Sequence, residues 1–435
     1  MNNSLFLLRY NENMELKEVN AKELDEYVIN SSKPHYLQTS TWGKVNRKRG
    51  LTPHFLELID NNKIVGSAML VEKKILNYST FYCPRGFICD YNNKEDIKNM
   101  VTYLKDYIKK HNGLYLKIDP DIIIRKLDNN GNVVFEDKDK LELVEYIKSL
   151  GGKHRGFTTS LYETSAPRFT FRLDINKSEE DLYNGFVPSA KRLALKQNLY
   201  NVDIIKGDKE NLKDFYFVMK ETLVRKKMYL EPYSFYETFF NTLYDANMAD
   251  IYLVVAYKSK LLAYLNEQLK EANDKYTAAK EKLAKADNKT NQNSVKETEK
   301  LKISIENKIN EVNELKEERN VISSQLVVRY KDMIWTIHGG NNDKLGFLRA
   351  NYEIHFKIFK DAMASGYKTF DFYGVEGKID KSSPAYGLFV FKSQFGADYD
   401  EFIGEFDFIV KPFTNSVLSA LLKIRRKFKY KFQKR

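Results

Sequence analysis

Apolar side chains recur at alternating steps of three and four through Leu262, Leu265, Leu269, Ala272, Tyr276, Ala279, Leu283 and Ala286, with Glu, Lys and Asn between them. That spacing predicts a helix with one apolar seam. A polar, turn-prone stretch, Asp287–Ser294, follows. Leu301, Ile305, Val312, Leu315 and Ile322 then resume the spacing, interrupted at Lys308 with Ile309 beside the gap. Two such helices across so short a link pack antiparallel, so the stretch from about Leu262 to Ile322 reads as an antiparallel two-helix coiled-coil arm, on the order of 35–40 Å long. A dimerising coiled coil is the alternative; the internal hairpin is preferred because it already buries both seams.

Outside the arm the pattern shifts to period two. Phe55–Val71 reads as two alternating strands across an Asn-rich turn, and Ile251–Ala263 matches it, with the arm growing from the second strand of that hairpin. Further on, the first half shows Arg85-Gly-Phe, a helix around Asp96–Lys110 and a strand Leu114–Ile118 ending in Asp119-Pro120. The second half shows His338-Gly-Gly-Asn, a helix around Ala350–Ser365 and a strand Thr369–Phe372 ending at Tyr373-Gly374. A repeated hairpin followed by strand–helix–strand predicts two similar mixed α/β lobes. Their element order resembles the acetyl-CoA N-acetyltransferase (GNAT-like) fold. The expected division is a first lobe at 1–165, a second lobe at 166–257 and 326–411, the arm at 258–325 and a basic C-terminal tail at 412–435.

Composition adds a direction. The 435 residues carry a net charge of +12, which favours a polyanionic partner or an anionic surface, although a Lys-, Asn-, Ile- and Tyr-rich usage raises the charge by itself. With two cysteines, Cys83 and Cys89, and no Cys-x-x-Cys, neither a disulfide framework nor a structural zinc site is expected. Met1–Tyr10 lacks a basic region ahead of its short apolar run, and no stretch reaches the ~20 apolar residues of a membrane span. A cytoplasmic protein is expected, with any membrane contact peripheral.

Chemistry is conspicuous mainly for what is missing. Acetyl-CoA enzymes hold pyrophosphate on an Arg/Gln-x-x-Gly-x-Gly/Ala loop opening a helix. The nearest approach, Arg47-Lys-Arg-Gly-Leu-Thr52, ends in threonine and precedes the first hairpin instead of following it. No Gly-Lys-Ser/Thr phosphate loop, nucleophile elbow or His-Glu-x-x-His helix occurs either. An acyl donor already activated before it arrives fits these absences.

Five segments carry a specific resemblance: Tyr36–Val45 with its Thr-Trp-Gly-Lys, Leu116–Asp121, Ala350–Lys357, Asp371-Phe-Tyr-Gly-Val375, and Gly387–Gly396 with its Phe-Lys-Ser-Gln-Phe-Gly. In this order the chain, from about Tyr36 to Ile409, resembles the Fem family of aminoacyl-tRNA-dependent transferases that build interpeptide bridges on peptidoglycan precursors. The resemblance implies a reaction without cofactor: an amine of the stem peptide or growing bridge attacks the ester carbonyl of an aminoacyl-tRNA carrying glycine, alanine or serine, and the tRNA leaves. An ester is already activated, so orientation and charge stabilisation suffice. Lys392 falls where the family has a lysine stabilising the oxyanion or the leaving ribose oxygen, and Asp119 where a base has been placed. Lys44 and Arg225 match cations that contact precursor phosphates, with Arg47 a substitute for Lys44, and Tyr373 is expected to line the cleft. Each keeps a plainer alternative: surface cations for the three basic residues, a strand-end lysine, an Asp-Pro loop opener, a core aromatic.

The arm is characteristic of relatives that accept a lipid-linked precursor, so the implied partners are aminoacyl-tRNA and lipid II, with related Fem-type proteins as further partners. The basic, aromatic segment Lys423–Arg435 suits anionic headgroups or tRNA phosphates. Ser189–Lys196 is expected as a helix, core-facing at Leu193 and solvated or substrate-facing at Lys191, Arg192 and Lys196. Two rival readings stand: a non-catalytic tRNA- or partner-binding protein, and an acetyl-CoA N-acetyltransferase, which the missing pyrophosphate loop disfavours.

Overall fold

The computed structural model describes residues 13–161 and 163–418. The first elements are β1 (Met14–Glu18), α1 (Ala21–Asn30), α2 (Ser40–Lys48), β2 (Thr52–Asp60), β3 (Lys63–Ile75), β4 (Tyr78–Cys83), β5 (Ile88–Cys89), α3 (Lys94–Lys110), β6 (Gly113–Ile118), β7 (Ile123–Leu127), β8 (Val133–Glu136), α4 (Lys138–Ser149) and β9 (Gly152–His154). Next come β10 (Phe169–Asp174), α5 (Glu179–Asn184), α6 (Pro188–Leu195), β11 (Asp203–Gly207), α7 (Leu212–Arg225), α8 (Tyr233–Asp245), β12 (Ala249–Tyr257), α9 (Lys258–Lys285) and α10 (Lys289–Asn313). The chain continues with β13 (Arg319–Tyr330), β14 (Met333–Asn341), α11 (Ala350–Ala364), β15 (Thr369–Val375), α12 (Tyr386–Lys392), β16 (Asp398–Phe402) and β17 (Phe406–Ile409).

Two mixed sheets share one plan. The first runs β1-β2-β3-β4-β6-β17-β9 with β5 on β3; the second runs β11-β12-β13-β14-β15-β10-β16-β7-β8. In each, antiparallel strands lead to a strand that joins its neighbour in parallel across a helix, β4 to β6 over α3 and β14 to β15 over α11. Asn61 and Asn62, both in the left-handed region, make the two-residue turn of the β2–β3 hairpin, as the Asn-rich pattern predicts. The fold is the expected mixed α/β class with two related lobes.

The sheets cross the expected boundary at 165. β7 and β8 pair into the second sheet through β16, whereas β17 returns to the first beside β6. The physical reason lies in two short consecutive strands with separate destinations: Tyr399 of β16 buries in the second lobe's core, and Phe406 and Phe408 of β17 bury in the first. A third core joins Tyr36, Leu37 and Val45 from the first lobe to Phe215, Phe239 and Trp335 from the second.

The arm departs from expectation in detail. β12 stops at Tyr257 and α9 begins at once, so the expected second strand at Leu261–Ala263 is the first turn of a helix, and β12 pairs with β13 across the whole arm. Good helix formers, Leu-Leu-Ala-Tyr-Leu, override the hairpin pattern there. The link is only Ala286–Asn288, with the Asn288 side chain capping α10, so most of the expected turn is helical. α10 ends at Asn313; Leu315 lies in the following loop and Ile322 in β13, both buried in the body's core. Leu301 is exposed, and Lys302 takes the inward side over the Tyr276 ring. Lys308 interrupts the seam because it faces the body, donating to the Tyr200 hydroxyl at 3.0 Å.

His338-Gly-Gly-Asn closes strand β14. A Cβ at Gly340 would lie 2.6 Å from the Met219 Cα, so α7 packs directly on the backbone of β14. α6 forms as expected, but Ala190 and Ala194 are its buried residues and Leu193 is only partly covered. The basic segment Lys423–Arg435 lies outside the described residues. No helix among those described is long and apolar enough to cross a membrane.

Candidate active site

The Phe-Lys-Ser-Gln-Phe-Gly segment ends α12 and turns sharply into β16. Phe395 is fully buried, and Gly396 takes a left-handed conformation where a Cβ would meet the Gly185 carbonyl oxygen at 2.2 Å, so only glycine fits. This corner drives Lys392, the last residue of α12, into the interior. Its ammonium donates to the carbonyl oxygens of Tyr373 and Gly374, each at 2.9 Å.

Those carbonyls are presented by an unusual bend at the end of β15. Tyr373 sits at φ 61°, and its N–H donates to Asp371 Oδ1 at 2.7 Å. Asp371 is fixed in turn by the Thr170 hydroxyl and by Arg172, whose Nε donates to Oδ2 at 2.9 Å. Arg172 also reaches Asp121 Oδ2 at 2.8 Å. A chain of Asp121, Arg172 and the buried Asp371 thus joins the first lobe to the bend that holds Lys392. Although burial pushes the other way, the Arg172 guanidinium holds Asp121 well below the usual carboxylate range.

Lys392, Tyr373 and Gly374 line a cavity of about 390 Å³, closed by the end of α7, the loop that follows it, β14 and the first turns of α11. Burial drives the Lys392 ammonium down to about 7, with the Asp371 charge opposing. A lysine there exchanges between an ammonium donor and a neutral amine near neutrality. Beside it, His355 donates from Nδ1 to the Asn351 carbonyl at 2.7 Å, and burial lowers its ring to about 4, so it is neutral. Burial lowers His338, across the cavity, to about 4 as well. Such a cavity combines the buried Lys392, neutral imidazoles and apolar side chains, with Lys226 and Glu231 in the part of the wall at the end of α7 and the loop after it, which suits stabilising negative charge on a polarised carbonyl.

The other expected site residues lie differently. Arg225 ends α7 at the cavity's edge, donating to the Asn341 carbonyl at 3.0 Å and paired with Asp343 at 2.8 Å. Lys44 and Arg47 are exposed on α2 and do not line the cavity. Asp119 is buried away from the cavity wall, accepting from Tyr82 at 2.9 Å and from the Arg85 N–H at 2.8 Å. Burial pushes it up to about 6 against the Arg85 charge. It connects to the cavity through Arg85, which donates to the Pro167 carbonyl at 2.7 Å, and Pro167 is part of the wall.

Sequence reasoning missed His355, His338, Asn351 and the Arg172–Asp371 chain. His355 sits inside one of the quoted segments, Ala350–Lys357, and a scan of the chain's six histidines for membership in those segments would have found it. Nothing in one dimension connects Arg172 to Asp371. Among the described residues no group of three His, Cys, Asp or Glu side chains is placed to hold a metal ion.

Comparison with known proteins agrees with this architecture. The sequence model of the FemAB family matches residues 19–423. A lipid II:glycine glycyltransferase of Staphylococcus epidermidis is 30% identical over 447 residues, covering 96% of this chain and all of the relative. One from Staphylococcus aureus is 27% identical over 445 residues with the same coverage. The crystal structure of FemX superposes with a TM-score of 0.71 at 26% identity, over 93% of this chain and 99% of that one.

Proposed function

The chain belongs to the FemAB family, and from that premise we propose that it is an aminoacyltransferase of peptidoglycan synthesis, moving glycine from a charged tRNA onto an amine of lipid II. The relatives named for lipid II and glycine support the acceptor and the amino acid. The tRNA donor rests on the family resemblance and on the net charge of +12. One observation carries the chemistry: a buried lysine held by two carbonyls in the wall of a cavity between the end of α7, β14, β15 and α12.

In this reading the neutral amine attacks the ester carbonyl and the third N–H of Lys392 donates to the developing oxyanion. As the carbonyl re-forms and the C–O bond to the ribose breaks, the lysine gives its proton to the departing ribose oxygen and takes up the one shed by the attacking nitrogen. Asp371 acts at one remove, by fixing the bend whose carbonyls aim the ammonium. Asp119 likewise acts through Arg85, not as a base touching the amine. Tyr373 shapes the wall. Lys44, with Arg47 beside it, and Arg225 hold the precursor's phosphates from the two lobes. The decisive assay is transfer of radiolabelled glycine from charged tRNA to lipid II. Failure with glycyl-, alanyl- and seryl-tRNA alike rejects the reading, and acetyl transfer from acetyl-CoA without tRNA replaces it.

Two further outcomes follow. Since the donor is the ammonium, kcat is expected to fall as pH rises through about 7. Stability should run the other way. The folded value lies below the ordinary 10.5, so between about 7 and 10.5 the unfolded chain binds the extra proton and this group's contribution to stability rises with pH. A pH–rate profile flat from 6 to 9 would remove the ammonium role. Lys44→Ala and Arg225→Ala should each weaken lipid II binding by about tenfold, the value of one charged hydrogen bond, with kcat little changed. Unchanged KM in both variants rejects the phosphate contact.

A further inference from the structure

A second recess of about 480 Å³ lies between the lobes, distinct from the Lys392 cavity and sharing no lining residue with it. Its walls come from the segment after α1, the residues after β6, α4, β10 and the β13–β14 turn. Four cations face it, Lys33, Lys140, Arg172 and Lys331, against two carboxylates, Asp121 and Asp332. Both carboxylates already have partners: Asp121 holds Arg172 at 2.8 Å, and Asp332 holds Lys368 at 3.1 Å. Among the described residues Lys33 donates to the Asp121 carbonyl at 3.2 Å, and Lys140 to a neutral amide, Asn92 Oδ1, at 2.6 Å.

His35 supplies an independent observation. The Leu37 N–H donates to its Nδ1 at 3.1 Å, so Nδ1 is the acceptor nitrogen and Nε2 carries the hydrogen. Nε2 faces Asp121 Oδ2 at 3.9 Å, too far for a hydrogen bond, and no described group accepts from it. His35 as a residue is only 5% exposed, and its Nε2–H, which donates to no described group, borders a recess already rich in cations.

We propose that this recess binds a small phosphate-bearing anion, its oxygens accepting from His35 Nε2 and from Lys33 and Lys331, one lysine from each lobe. The site is independent of the transferase reading, since none of its donors belongs to the Lys392 cavity. Enclosure between lobes favours a free phosphorylated small molecule over a phosphate on a membrane surface.

The test is titration calorimetry of the full chain with inorganic phosphate at fixed ionic strength, alongside the imidazole ¹⁵N–¹H spectrum of histidine-labelled protein. Wild type should bind saturably and shift the His35 Nε2–H signal. The double variant Lys33→Met/Lys331→Met, altered only at exposed side chains, should bind at least tenfold more weakly, and Lys275→Met/Lys280→Met, on exposed positions of α9 away from both cavities, should match wild type within twofold. Equal affinity in the first double variant, or no saturable binding in wild type, overturns the site. A parallel arm with phosphatidylglycerol vesicles separates the two sources of phosphate. Vesicle binding that depends on Lys33 and Lys331 while inorganic phosphate does not bind would overturn the small-anion assignment.

Discussion

Replacing Lys392 with methionine is expected to lower glycyl transfer by about 10²–10³-fold, the usual cost of losing one aimed donor to an oxyanion, while shifting the melting temperature by only a few degrees. The two consequences separate because the ammonium is poorly placed for stability. Its burial drives it to about 7, so a good part of what its two hydrogen bonds to Tyr373 and Gly374 contribute is offset by desolvation. Methionine fills similar volume and leaves two carbonyls without a donor, a loss of about 1–3 kcal/mol that removal of a buried charge partly cancels. The measurement pairs single-turnover transfer at saturating lipid II with thermal unfolding. Retained turnover rejects Lys392 as the donor; lost turnover with collapse of the fold makes the residue structural.

Arg172→Met should do the reverse, costing about 3 kcal/mol of stability, because it strands the buried Asp371 and the half-buried Asp121 without their cation. Asp371 would still accept from Thr170 and the Tyr373 N–H, so the bend should persist in a loosened form, and turnover should fall through mispositioned carbonyls instead of a missing donor. Adding Asp121→Asn to Arg172→Met removes one of the stranded charges and should restore part of the loss, a non-additivity of about 0.5–3 kcal/mol expected of groups in direct contact. Chemical denaturation of the two single variants and the double measures it. A loss under about 1 kcal/mol in Arg172→Met would mean that the chain Asp121–Arg172–Asp371 is solvated in practice and does not brace the site.

These two residues differ in how visible they are in one dimension. Lys392 sits in a short motif whose aromatic and glycine neighbours are themselves informative: Phe395 anchors the corner and Gly396 alone fits it. Arg172 is an ordinary arginine in a short alternating strand. Its partners lie 51 and 199 positions away, and no local pattern marks a pairing over that distance. Asp119 shows the converse hazard. The sequence sets it at a strand end beside a proline, a position shared by bases and by loop openers, and the fold turns it toward Tyr82 and Arg85, away from the cavity.

Periodicity therefore determined the parts. The arm's two helices, the Asn61–Asn62 hairpin and the repeated strand–helix–strand order follow from local spacing and turn chemistry, which act over a few residues and are written consecutively in the chain. Tertiary structure decided how those parts meet. It sent β7 and β8 into the second sheet and β17 back into the first, stopped α10 short of Ile322, and placed Lys392 against Tyr373 and Gly374 while leaving Lys44 and Arg47 on an exposed helix. Each of those outcomes depends on burying apolar surface and pairing buried charge between segments distant in sequence, and that is a property of the packed chain, not of any stretch of it.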